Sequence, residues 1–304
     1  VYKVQVNIPA AITNLGPGLH TLGLALNLTA RLELMTRPDG KLKISITGEG
    51  AEHVPTDYKN PTVKAISRLF QQFEKSPPGL ELKIHNAIPL RAGLNGEAAL
   101  LIGGLVAANN IIEAGLSRED LIELALGLGV PPLVAMTSLV GGLNACIQAE
   151  SGKLFFKSLE PPPLPLVVVV PELPDYIQKT AGLLPKQVPL AAAIHNMGRL
   201  IFMMDALVAG DLALLRETLQ DRLYQAAFTA QLPGFEAAQQ AALAEGAIAV
   251  TLASQGPALL AFSPYNHAAI AEAMQAAFLA AGVKTCRHWT LGIDGQGVTV
   301  SVAS

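Results

Sequence analysis

Residues 88–114 leave the chain little choice of architecture. The turn Ile88-Pro-Leu-Arg-Ala-Gly-Leu-Asn-Gly-Glu-Ala-Ala-Leu100 runs straight into a segment that is apolar nearly all round. A helix without a polar face has to be covered on every side. The sequence therefore predicts that roughly 97–114 is the buried spine of a layered domain, with Gly103 and Gly104 admitting close neighbours. Leu80-Glu-Leu-Lys-Ile84 reads as the strand that feeds the turn. The free N–H groups at such a helix start attract anions, and here Glu97 puts a fixed carboxylate in the same place.

With 51% apolar and 15% charged residues in 304, two domains with their own cores are the expectation, and disorder is excluded. The mean hydropathy of +0.39 is high. Even so, the apolar runs Ala98–Ala108 and Leu164–Val170 fall well short of a bilayer span of about 18 residues, so no membrane role is expected. Only Cys146 and Cys286 occur, and no signal peptide is visible at the start of the sequence, which points to a reducing, cytoplasmic setting. The 21 Lys and Arg are scattered and the net charge is −3, which leaves no basic stripe for nucleic acid.

Along the chain, Tyr2–Ile8 alternates as a strand, breaks at Pro9 and leads to the turn Gly16-Pro-Gly18. Further strands are expected at Leu32–Leu34 and Leu42–Ile46, and an amphipathic helix at Pro61–Phe73. Ser117-Arg-Glu-Asp120 forms a capping box for the helix Leu121–Leu128. Pro131-Pro132 read as a loop, and Gly141-Gly142 open a strand at Leu143–Gln148. The proline-dense run Pro161–Pro165 marks a domain boundary, giving units 1–158 and 159–304. The second unit is expected to hold strands at Leu166–Val170, Ala247–Leu252, Ala258–Phe262, Thr285–Thr290 and Gly297–Val302, with helices within 189–208, 210–221, 234–245 and 268–281.

Three stretches together resemble the homoserine kinase branch of the GHMP small-molecule kinases: Pro9–Gly23, Ile88–Leu105 and Val250–Ala258. The resemblance spans essentially the whole chain. It implies an α+β fold with a ribosomal-protein-S5-like N-terminal domain, a ferredoxin-like C-terminal domain and a site in the cleft between them. The departures fall on the chemistry. Where the family reads G-L-G-S-S-A-A, this chain reads Gly93-Leu-Asn-Gly-Glu-Ala-Ala99. Where the family carries E-G-H-P-D-N, it reads Gly129-Val-Pro-Pro-Leu-Val134. The first motif ends Gly18-Leu-His20 in place of G-F-D, while Asn14 still matches.

A carboxylate about 4 Å from one phosphate charge opposes it by about 4 kcal/mol at an effective dielectric near 20. Phosphoryl transfer depends on positioning and charge neutralisation. On that ground the sequence reads as a kinase scaffold that has lost phosphoryl transfer through a deliberate redesign of its pocket. His20 and Glu97 would act as a His–Glu pair, by hydrolysis or as a His nucleophile in C–C bond chemistry. Ser254 and Ser138 are the candidate hydroxyl nucleophiles that would complete a triad.

Asn14, Leu19, Leu133, Val134, Tyr176, Gln178, Phe228 and Gln255 are the expected pocket residues. His53, His85, His195, His267 and His288 are dispersed, so no metal site is expected. The partner would be a small uncharged molecule in the inter-domain cleft, with pairing to a second copy as a homodimer left open and no cofactor. Two alternatives stand beside this reading. One is a homoserine kinase using ATP and magnesium in threonine biosynthesis; the other is a non-catalytic pseudoenzyme.

Overall fold

A computed structural model describes residues 3–76 and 79–303; Tyr2, where the first strand was expected to begin, lies outside them. β1 (Lys3–Thr13) and β2 (Leu22–Arg37) form a long antiparallel pair, from Lys3↔Met35 to Thr13↔Gly23, with a register shift between Pro9 and Ala10. The sequence reading ended the first strand at Pro9. Proline has no N–H for the ladder, and an irregularity in the pairing absorbs that deficit. The strand continues and so delivers Thr13 and Asn14 to its far end.

β3 (Leu42–Gly48), α1 (Pro61–Gln72) and β4 (Gly79–Asn86) follow, with β3 parallel to β4 and β4 antiparallel to β2. Asn60 starts α1: its side chain accepts the N–H groups of Thr62 and Val63, and Pro61 occupies the first helical turn, where a missing N–H does no harm. α2 (Gly96–Ile111) is the spine expected from the sequence, and it is packed on two sides. A Cβ on Gly103 would lie 2.5 Å from Ile8 Cδ1 of the sheet, and one on Gly104 would lie 2.6 Å from the Thr62 carbonyl oxygen of α1. No other residue type fits these two crossings without a shift.

α3 (Arg118–Gly127) opens on the expected capping box, in which the Asp120 N–H donates to Ser117 Oγ and the Ser117 N–H donates to Asp120 Oδ2. Pro131-Pro132 do not form a loop. Pro132 begins α4 (Pro132–Val140), since proline's fixed φ suits a helix start. The hairpin β5 (Leu143–Gln148) and β6 (Leu154–Leu159) then extends the sheet beside the start of β2. β6 is not visible in the sequence pattern.

The second sheet is antiparallel, in the order β10-β7-β9-β8. It is built from β7 (Leu166–Pro171), β8 (Ala249–Leu252), β9 (Leu259–Phe262) and β10 (Cys286–Leu291). Between these run α5 (Tyr176–Thr180), α6 (Leu190–Ala209), α7 (Leu212–Thr218), α8 (Gln225–Thr229), α9 (Phe235–Ala244) and α10 (His267–Ala280). β11 (Thr299–Ala303) returns to pair antiparallel with β1. Residues 299–303 therefore belong to the first sheet, and a single cut at 158/159 does not separate the two sheets.

Alternate residues of β7 feed two cores. Leu166, Val168 and Val170 join the large cluster shared with the first sheet, while Val167 and Val169 pack among Ala238, Ile270, Met274 and Phe278. This is the period-two consequence of a strand buried on both faces. Among the described residues, no helix is long and apolar enough to cross a membrane.

Because α2 meets its neighbours at less than methyl distance, Gly104→Val should destabilise the protein by about 1–3 kcal/mol through overpacking. A Cβ on Gly127 would meet nothing within 4 Å, so Gly127→Ala should leave stability unchanged or raise it by up to about 1 kcal/mol. Urea denaturation followed by circular dichroism distinguishes the two.

Candidate active site

A cavity of about 950 Å³ opens where the turns after β1, before α2 and after β8 meet, and α4, β5, α5 and α8 contribute the remaining walls. Three turns from distant parts of the chain are tied together at its floor. Ser254 Oγ accepts the Thr13 N–H at 2.9 Å and donates to the Gly93 carbonyl at 2.7 Å. Asn95 Nδ2 donates to the Ala11 carbonyl at 2.7 Å, and the Ala258 N–H donates to the Ala92 carbonyl. Gly93 and Gly256 cross here: a Cβ on Gly256 would lie 2.2 Å from the Gly93 nitrogen, and one on Gly93 2.1 Å from the Ala253 oxygen.

The backbone around this cavity is strained. Of the eight non-glycine residues with positive φ among the described residues, Asn14, His20, Arg91, Asn95 and Ser254 all line it. Each left-handed residue of this kind disfavours the fold by roughly 1–2 kcal/mol, less for Asn. Such outliers cluster at functional sites because only a required geometry keeps them. This concentration, not the volume, marks the cavity as the candidate site.

Asn14 is the most firmly held of the wall residues. Its carbonyl accepts from the Tyr224 hydroxyl, which also reaches the Gly16 carbonyl, and its Oδ1 accepts the His20 N–H at 2.7 Å. Burial, with a smaller contribution from the Asp221 carboxylate, raises the Tyr224 pKa far above the ordinary tyrosine value, so the hydroxyl remains a donor at any physiological pH. Asp221 in turn accepts the N–H groups of Leu223, Tyr224 and Gln225 and the Asn196 side chain of α6.

Leu133, Val134, Phe228 and Gln255 line the cavity beside Asn14, His20, Glu97 and Ser254. His20 and Glu97 share the cavity without being paired. His20 is exposed, the Glu97 carboxylate accepts the Arg91 N–H at 3.2 Å, and no hydrogen bond or ion pair joins the two among the described residues. The Ser254 hydroxyl is engaged in holding the turns. Ser138 was placed at the cleft from the sequence, but it is fully buried within α4, off the wall, and its Oγ has no partner.

Leu19, Tyr176 and Gln178 also lie off the wall. Leu19 packs into the second core, Tyr176 is buried with its hydroxyl donating to the Phe228 carbonyl, and Gln178 is on the exposed side of α5. The sequence reading missed Thr13, Arg91, Ile147, Leu154 and Ile177 of the wall, and Tyr224 behind it. Arg91 is the one Lys or Arg among the lining residues, and the described residues hold no group of three or more His, Cys, Asp or Glu able to bind a metal.

Comparison with known proteins decides the family. Residues 60–145 match the family model described as GHMP kinases N terminal domain. The chain is 35% identical to the homoserine kinase of Trichormus variabilis over 98% of its own length and 99% of the relative's. The chain belongs to the homoserine kinase family. The homoserine kinase of Moorella thermoacetica is 35% identical over 92% of this chain and 94% of its own. The crystal structure of homoserine kinase from Cytophaga hutchinsonii superposes with a TM-score of 0.86 over 98% of this chain and 97% of that one, at 24% identity. The α+β fold is that of the GHMP kinases.

These likenesses overturn the reading of a redesigned scaffold with a His20–Glu97 hydrolytic or nucleophilic pair. Identity to homoserine kinases extends through the segments between the motifs and over nearly the whole chain, and nothing in it marks an engineered hydrolase. The unpaired His20 and Glu97 agree with this correction.

Replacing Tyr224 by Phe removes the donor to two buried carbonyls, which should lower stability by about 1–3 kcal/mol. Ser254→Ala leaves the Thr13 N–H and Gly93 carbonyl without their partner at a left-handed position and should cost about the same. Thermal unfolding of each variant checks both; an unchanged midpoint in Ser254→Ala would refute the tie between the turns.

Proposed function

We propose that this chain transfers a phosphoryl group from Mg-ATP to the hydroxyl of L-homoserine. Membership of the homoserine kinase family over 98% of the chain carries the reading, and the strained cavity gives it a place. The turn Arg91–Gly96 and the first N–H groups of α2 would receive phosphate oxygens, as helix starts do. Arg91 adds one positive charge at the same wall.

Glu97 repels a bare triphosphate, but a divalent cation between them reverses the sign. Magnesium is ordinarily held by one or two carboxylates together with substrate phosphates, without a cage of protein ligands. A single carboxylate beside the turn fits that pattern, so Glu97 would hold magnesium that arrives with the nucleotide and neutralises phosphate charge. The absence of a three-residue metal cluster among the described residues is no obstacle to this arrangement. Asn14, with its Oδ1 committed to His20, has its amide N–H groups free to orient the acceptor substrate. Leu133, Val134 and Phe228 keep water from the region between the two substrates.

The test is ADP release from Mg-ATP on addition of L-homoserine, with Glu97→Gln expected to raise the magnesium concentration at half-maximal rate about tenfold, equivalent to about 1.4 kcal/mol. Folded protein that releases no ADP with L-homoserine would end this reading. The carboxylate-free run Gly129–Val134, which supplies Leu133 and Val134 to the wall, favours a second reading: a family member that binds its ligands without transfer. In that case Mg-ATP or L-homoserine raises the Tm while ADP never forms.

A further inference from the structure

The outer face of α6 is apolar from end to end. Leu190, Ile194, Met197, Ile201 and Val208 recur at spacings of three, four and seven and are all exposed, Leu190 by 74% and Ile201 by 69%. Phe202 lies beside them, also exposed. The inner face, with Ala192, Asn196, Met203, Ala206 and Leu207, is already buried. A helix with one face on the core ordinarily shows charges on the other. Here Asp205 is the one charged residue classed as exposed on the helix.

Gly198 sits in the middle of this face. A glycine inside a helix costs about 1 kcal/mol relative to alanine, and a Cβ there would meet nothing within 4 Å. The fold of the single chain therefore gives no reason for it, unlike Gly103 and Gly104. A gap flanked by large apolar side chains is what a close helix crossing requires.

We propose that α6 is the self-association surface of this protein and that its partner is a second copy of the chain, packed antiparallel across a two-fold axis near Arg199 and Leu200. In that arrangement Ile201 of each copy enters the gap at Gly198 of the other, and Met197 meets Phe202. The contact is isologous, so one stripe supplies both halves.

Area supports this occupant. Taking roughly 150–200 Å² for a fully exposed large apolar side chain, the six exposed residues present about 600 Å² per copy, larger than single chains normally leave open. Two copies then bury about 1,200 Å², the lower edge of stable interfaces. A lipid surface is the poorer match, because helices that lie on membranes carry Lys and Arg along the polar face, and α6 has Arg199 alone.

Sedimentation velocity should give twice the 31.8 kDa chain mass. Ile201→Glu should reduce it to the single-chain mass with an unchanged circular dichroism spectrum. Gly198→Leu separates this proposal from a merely structural role: it should raise the Tm of the chain as a better helix former, yet weaken association by about tenfold or more. Phe155→Glu, on the exposed β5–β6 hairpin, should leave the doubled mass intact. Single-chain mass for the unaltered protein, a doubled mass indifferent to both α6 variants, or co-sedimentation with phosphatidylserine vesicles in place of self-association would each overturn the proposal.

Discussion

The meeting of three turns at Ser254 governs the rest of the molecule. One hydroxyl accepts from Thr13 and donates to Gly93, so the end of β1, the turn before α2 and the turn after β8 are fixed against one another. The contact exists only because Gly93 and Gly256 allow backbone against backbone. Larger residues would separate the two sheets at the point where the cavity forms. The shared core around β7 then continues the same contact inward, and the two units pack as one body with a cleft at its edge.

Much of the fold could be read directly from residue patterns. The apolar helix after the glycine turn, the Asn60 and Ser117 caps and the buried run at β7 each follow from a local rule with one structural answer. The failures have physical causes as well. Pro9 and Pro131-Pro132 act locally as breakers, but pairing irregularity and helix-start geometry accommodate both. β6 has no alternating pattern because four of its six residues are exposed, and the return of β11 to the first sheet is a long-range pairing that local sequence does not encode.

The site was half legible. Glycine turns and the family resemblance located Asn14, Glu97 and Ser254 on one cavity, and Leu133, Val134, Phe228 and Gln255 with them. Ser138, Leu19, Tyr176 and Gln178 were misplaced because helix rotation and core packing decide which face of an element meets a cleft. Reading Glu97 by its charge alone gave repulsion. A carboxylate and a phosphate that share a divalent cation attract it jointly, so the sign of that interaction belongs to the loaded site and not to the bare side chain.

The left-handed residues around the cavity have one more consequence. Five backbone positions held in a narrow φ range cannot relax independently, since each is also fixed by hydrogen bonds or by a neighbouring turn. The conformational freedom lost there is surrendered when the chain folds, before any ligand arrives. What enters the cleft meets a receptor whose shape is already set, and the entropy of ordering those loops does not weigh against its binding.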